Sequence, residues 1–176
     1  MKLMAVSGWL LVVCAAVCGC ATGYSWKASV PAAMRTVTVP TFMNESDIAE
    51  LGSVATRQLL REIQREGTFR IAAADEAALE VQGVVKCATA GVGAYDRRAD
   101  MQLQSYRFVL TAEVSIIDKT AGKVLVNNRK YVAEDVFTAR HDISTAERDA
   151  SGRVADDLAR QIVDDLADWK FEGVKK

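Results

Sequence analysis

The chain has 176 residues, with 22 Lys and Arg against 23 Asp and Glu, a formal net charge of −1, half of its residues hydrophobic and 26% charged. That composition is ordinary for a folded globular protein, and so balanced a charge excludes the positive field on which nonspecific nucleic-acid binding depends. A chain of this length is sized for one domain with its own core.

Met1-Lys2 gives a short positive start, Leu3 to Val17 an uncharged apolar run, and small residues lead into Cys20, the layout of a bacterial export signal. The run falls short of the about 20 apolar residues that span a bilayer, and Ser7 and Gly8 weaken it further. With cysteine at the cut, Val17-Cys18-Gly19-Cys20 looks like a lipoprotein signal. Residues 1–19 are then expected to leave, and Cys20 to be acylated, palmitate included, at its thiol and its new amino group. An uncleaved anchor and a simple secretory signal are the other readings of the same run. Several acyl chains anchor stably, since each buried methylene contributes about 0.8 kcal/mol. Ala21 beside the cysteine, where aspartate would retain the chain, resembles enterobacterial lipoproteins sorted to the outer membrane. Losing Lys2 leaves 21 basic against 23 acidic residues, a mature charge of −2. Cys14 and Cys18 depart with the signal and Cys20 carries lipid, so Cys87 has no partner for an internal disulfide and reads as a small buried hydrophobe.

Residues 20–34, with Gly23, Tyr24, Trp26 and the breaker Pro31, read as a lipidated linker from membrane to domain, and 35–176 as the domain. Arg35 to Val39 alternates Val37 and Val39 with Thr36 and Thr38, a half-buried strand that Pro40 ends. In the polar stretch to Asp47, Asn44 and Ser46 are helix-cap candidates, with Asp47 and Glu50 placed to favour a helix start. Ile48, Leu51, Ala55, Leu59 and Ile63 then form one apolar stripe of a helix over 48–66, stopped by Gly67. Phe69 to Ala72 predicts a short strand. Leu79 to Cys87 and Ser105 to Ile117 predict strands with one apolar and one polar face, the second carrying Tyr106, Phe108, Leu110, Ala112, Val114 and Ile116 on one side. Asp118 to Gly122 predicts a hairpin turn, after which 123–136 returns with a pattern that Asn127-Asn128-Arg129-Lys130 interrupts, the mark of a bulge or of a charged edge. A last helix over 145–170 puts Val154, Leu158, Ile162, Leu166 and Trp169 on one face and Asp156, Asp157, Asp164, Asp165 and Asp168 on the rest. Two helices on one face of a mainly antiparallel sheet, a single α+β domain, follow from this order.

Residues that would carry catalysis are missing from the pattern. His141 has no Cys or carboxylate at metal-ligand spacing, Gly91-Val92-Gly93 lacks the remainder of a phosphate loop, and the paired aspartates fall on a solvated helix face. No enzyme, metal or cofactor is expected. In the predicted topology the loops 88–104 and 137–144 open at one end of the sheet and gather Arg97, Arg98 and Arg140 beside Val92, Tyr95 and Phe137. Guanidinium forks beside apolar surface suit a phosphorylated amphiphile. Asp96, Asp100 and Asp142 supply the other reading, in which these are solvated loop arginines neutralised locally.

Gly19-Cys20 with Gly23-Tyr24, then TVTVPTF at 36–42 with Asn44-Glu45-Ser46, LLREIQREG, SYRFVLTAEVSIID and TAERDA, in this order and spacing, resemble the lipopolysaccharide-assembly lipoprotein family, LptE. The likeness runs over nearly the whole mature chain. It implies a two-helix, roughly four-stranded sandwich that plugs a large outer-membrane β-barrel, the LptD-like translocon, helps that barrel assemble and contacts lipopolysaccharide in transit. Carried over by position, the family's basic glycolipid contacts fall nearest Arg97 or Arg98 and Arg140. The same opening run also looks like small lipoproteins that regulate periplasmic cell-wall enzymes, the activators of peptidoglycan synthases, which would bind a soluble enzyme domain instead of a barrel.

Overall fold

A computed structural model describes residues 30–91, 104–139 and 143–168. A 3-10 turn at Ala32–Met34 precedes β1 (Thr36–Thr38), β2 (Met43–Asn44), α1 (Leu51–Glu66), β3 (Arg70–Ile71), β4 (Leu79–Gly91), β5 (Gln104–Asp118), β6 (Lys123–Ala139) and α2 (Ile143–Asp168). The expectation of a mainly antiparallel sheet of about four strands is corrected: the sheet is mixed and has six strands, in the order β3-β1-β4-β5-β6 with β2 also on β4. β4, β5 and β6 form an antiparallel meander, whereas β1 runs parallel to both β3 and β4, and β2 parallel to β4. Of the short strands, β2 went unread because two residues are too few to show alternation, whereas β3 lies within the predicted strand Phe69 to Ala72.

One face of the sheet carries the core. Leu79, Val81 and Val85 of β4, Phe108 through Ile116 at alternate positions of β5, and Val126, Tyr131, Ala133 and Phe137 of β6 are buried there against the two helices. Helix α1 contributes Leu51, Ala55, Leu59 and Ile63, the predicted stripe apart from Ile48, which precedes the helix and packs against the core. Helix α2 contributes Val154, Leu158, Ile162 and Leu166, widened by Ala155, Ala159, Val163 and Ala167. Trp169, expected on the same face, lies outside the described residues.

Local chemistry sets the ends of the elements. Gly67 closes α1 in the left-handed region at φ 79°, its N–H donating to the Ile63 carbonyl at 3.2 Å. The start of α1 differs from expectation: Glu50 at φ 65° stands at the N-cap with no side-chain cap, while Asn44 and Ser46 close a turn of their own. Asn44 Oδ1 accepts from the Ser46 N–H at 3.1 Å, and Asn44 Nδ2 donates to the Ile48 carbonyl at 2.9 Å. Between β5 and β6, Asp118 Oδ1 accepts the N–H groups of Thr120 and Ala121 at 2.8 and 3.0 Å, which builds the predicted hairpin turn.

The interruption in β6 is a bulge. Val114 pairs with Arg129 and Ile116 with Val126, so Ser115 stands opposite both Asn127 and Asn128; Asn128 takes φ 46° and its N–H donates to Ser115 Oγ at 3.0 Å. A second shift follows between Ile116 and Ile117, which pairs with Val124. Each shift reverses which side chains face the helices. Val124 points outward, Val126 inward, and beyond the bulge Tyr131, Ala133 and Phe137 point inward again.

The link between β1 and β2 holds the other distinctive packing. Phe42 is 3% exposed, and a Cβ placed on Gly83 of β4 would come within 2.4 Å of its ring. A Cβ on Gly52 of α1 would come within 2.4 Å of the Phe42 carbonyl oxygen. Two glycines therefore let the ring lie on β4 while α1 passes over its backbone. The Phe42 N–H donates to Thr56 Oγ1 at 2.9 Å, and that hydroxyl donates to the Gly52 carbonyl at 2.8 Å.

Candidate functional site

Cys20, Arg97, Arg98, Arg140 and His141 all lie outside the described residues, as do Val92 and Tyr95. The strands that frame the predicted arginine end are described. Gly91 pairs with Tyr106 and Gln104 with Ala139, so β4 ends, β5 begins and β6 ends side by side, with α2 beginning at Ile143. The rings of Tyr106 and Phe137 stack there, centroids 5.4 Å apart and planes at 19°. Val136 and Ile143 at this end are 59% and 45% exposed, an apolar rim that the core does not use.

Among the described residues, the sheet face away from the helices is open and amphipathic. A cleft of about 380 Å³ lies where the chain arches from β1 to β2, with Thr41, Met43, Glu80, Gln82, Glu113 and Asn128 around it. Its charges are largely matched within the chain. Lys86 Nζ lies 3.2 Å from Glu113 and 3.6 Å from Glu45, and the hydrogen bond to Glu113, then the charge of both carboxylates, holds the ammonium above the ordinary lysine range. Lys119 pairs with Glu80 at 3.7 Å and Arg107 with Glu134 at 3.9 Å. Covering such a face would desolvate paired charges instead of lone ones, which lowers the cost without removing it. Among the described residues no group of His, Cys, Asp and Glu could hold a metal ion, and no helix is long and apolar enough to cross a membrane. Cys87, read as a buried hydrophobe, is half-buried against the core and in no disulfide.

Sequence reasoning assigned the α2 aspartates to solvent, and for Asp165 that is corrected. Tyr131 on β6 donates its hydroxyl to Asp165 Oδ2 at 2.5 Å, and Arg129 reaches the same oxygen at 2.7 Å. Burial first, and then the bond to Asp165, raise the Tyr131 phenol well above its usual range. Further along the same seam Gln161 Nε2 donates to the Val132 carbonyl at 3.1 Å, and Arg153 to Asp135 Oδ2 at 2.6 Å. These ties join residues 18 to 34 positions apart, so no local motif announces them. The signal that was available is the parity reversal at Asn127-Asn128, which turns Arg129, Tyr131 and Asp135 toward α2.

Residues 34–166 match the model of the lipopolysaccharide-assembly family, LptE. No curated protein is similar to the chain at a significant level. Among solved structures, a minor lipoprotein from Acinetobacter baumannii is similar at 13% identity and TM-score 0.51, over 76% of this chain and 93% of that one. Lipoprotein B from Nitrosomonas europaea is similar at 12% identity and TM-score 0.51, over 76% and 83% of the two chains. At such identities these likenesses show a shared fold.

Proposed function

Because the chain belongs to the LptE family of lipopolysaccharide assembly, we propose that it is an outer-membrane lipoprotein, acylated at Cys20, that plugs and helps assemble an LptD-like translocon barrel and binds lipopolysaccharide during export. The observation that carries this reading is the family match across 34–166, which takes in all six strands and almost all of both helices. The role is non-enzymatic and uses no cofactor. Arg97, Arg98 and Arg140 are the proposed glycolipid contacts. Their support is the adjacency of the three strand ends from which their loops depart, together with the exposed Val136 and Ile143 at the same end. Guanidinium groups would hold phosphates, each charge-assisted bond contributing roughly 1.5–3 kcal/mol, while the rim takes acyl surface.

Purification of the tagged chain from its native membranes in mild detergent tests the barrel. A large partner whose gel mobility changes on heating is expected; a soluble cell-wall enzyme in its place overturns the proposal. Replacing Arg97, Arg98 and Arg140 by Glu is expected to weaken lipopolysaccharide binding with the melting temperature unchanged, and equal binding removes them as the site. Cys20→Ala is expected to leave the membrane fraction or remain unprocessed, and unaltered membrane association counts against lipidation there.

A further inference from the structure

The chain has three Trp residues, and none lies among the described ones. Trp9 falls in the signal run, so the mature chain keeps two: Trp26, in Tyr24-Ser25-Trp26-Lys27 between Cys20 and Val30, and Trp169, in Trp169-Lys170-Phe171-Glu172-Gly173-Val174-Lys175-Lys176 after α2. The fold directs both segments to one end of the domain. There β1, β4 and β6 begin and β5 ends, since Val37 pairs with Leu79, Leu79 with Asp118 and Asp118 with Lys123. The chain enters at this end through Val30, whose carbonyl accepts from Arg35 Nε at 3.1 Å. Helix α2 starts at the opposite end and returns: Arg153 meets Asp135, Gln161 meets Val132 and Asp165 meets Tyr131, so numbers rise along the helix as they fall along β6. Residues 169–176 therefore set out toward the end at which residues 20–29 arrive. β1 and β6 are three strand spacings apart there, about 14 Å.

We infer that residues 169–176 are a second membrane contact beside the acylated Cys20, with the Trp169 and Phe171 rings at the level of the headgroups and the lysines on anionic lipid. The charge of the chain changes sign where α2 stops. Asp156, Asp157, Asp164, Asp165 and Asp168 of the helix give way to Lys170, Lys175 and Lys176 against Glu172, a net +2. Tryptophan favours the boundary between membrane and water because its ring is apolar and its N–H a donor, and a neighbouring lysine lays its stem on the apolar side while its ammonium reaches the phosphates. Basic residues next to a membrane are drawn to the negative surface potential of its anionic lipids. Acyl chains on a linker fix only reach: the ten residues from Cys20 to Val30 span at most about 36 Å when extended, and the domain can turn about them. A second contact, leaving the domain some strands away, removes that freedom. It holds this end of the sheet toward the bilayer and the opposite end, from which the loops of Arg97, Arg98 and Arg140 depart, away from it. A plug inside a barrel keeps the contact, because its acyl chains must reach the bilayer from the same end. The inference rests on the proposed acylation at Cys20 and needs neither the barrel nor lipopolysaccharide.

Removing either tryptophan makes the other a reporter. The acylated full chain with Trp26→Phe, purified from its native membranes, keeps Trp169 alone, and the chain with Trp169→Phe keeps Trp26 alone. Each is placed in vesicles of phosphatidylethanolamine with a minority of phosphatidylglycerol, whose acyl chains carry bromine near the headgroup. Trp169 fluorescence is expected to fall at least about twofold against unbrominated vesicles, as for a ring at the interface. Most of that quenching should disappear in pure phosphatidylcholine, in 1 M salt, where screening acts within about 3 Å, and in a variant with Lys170, Lys175 and Lys176 all changed to Gln that melts like its parent. Trp26 should stay quenched throughout, since the acyl chains hold it close. The inference is overturned if Trp169 is unquenched while Trp26 is quenched, which puts the tail on protein, either the apolar stripe of α2 or a partner. It is overturned as well if Trp169 is quenched equally in phosphatidylcholine and in the lysine variant. Quenching of neither tryptophan removes the acyl anchor itself, and the inference with it.

Discussion

The two seams that attach helices to the sheet are built on different chemistry. Over β4, α1 is fixed by shape: Phe42 fills space that Gly83 and Gly52 leave open, and its backbone N–H donates to the Thr56 hydroxyl. Along β6, α2 adds to its buried apolar stripe a row of polar ties, Asp135 to Arg153, Val132 to Gln161, and Tyr131 with Arg129 to Asp165. A seam of shape tolerates no added atom and is indifferent to salt. A seam of ions accepts changes of volume and responds to pH and ionic strength. The two seams thus answer to different perturbations.

The comparison can be sharpened by substitution. Phe42→Ala should cost about 3–5 kcal/mol, as for other large buried aromatics, measured by urea unfolding, and the cost should not change with salt. Gly83→Ala should cost roughly 1–3 kcal/mol from overpacking, and a double-mutant cycle with Phe42→Leu should recover part of it. Additive costs would mean that ring and glycine do not meet. On the other seam, Tyr131→Phe should cost about 1–3 kcal/mol through the lost bond to a carboxylate. The phenol is raised above its ordinary 10.0 in the folded chain, so its contribution is complete below pH 10 and declines as pH rises beyond it, when the unfolded chain loses this proton first. The parent should therefore lose stability in the alkaline range more steeply than Tyr131→Phe, and parallel pH profiles would break the assignment. Smallest is Asp135→Asn: its partner Arg153 is 58% exposed, so about 1 kcal/mol or less is expected, vanishing at 1 M salt where screening acts within about 3 Å.

Long periodic elements were legible in the sequence. The α1 stripe, the alternation of β4 and β5, the Asp118 turn and the break in β6 all reappear in the structure, because each expresses a repeat or a turn residue within a few positions. β2 was not, since two residues carry no period, while β3 was legible as the short run Phe69 to Ala72. Asn44 and Ser46 were read as helix caps because an Asx turn and a cap use the same side-chain oxygen, and only the fold decides which N–H is nearby. Asp165 looked like the other aspartates of its helix until the bulge brought Tyr131 beneath it. For the arginine end, topology could be read from the number of strand reversals, and the described strand ends agree with it; the positions of Arg97, Arg98 and Arg140 themselves fall outside the described residues.

The place of β1 in the sheet has a mechanical consequence. It is the first of the described strands yet an interior one, parallel to β3 and β4 on its two sides, with the Arg70 N–H on the Arg35 carbonyl at 2.7 Å and the Ala72 N–H on the Val37 carbonyl at 3.0 Å. Traction applied along the strand axis through the residues ahead of Val30 loads the bonds on both flanks at once, in shear, so that they fail together. A first strand at the sheet edge, pulled sideways, would yield its bonds one by one. Val30 and Met34, both buried, add an apolar knot at the point of attachment. Force that enters the domain along β1 is thus resisted in shear on both flanks.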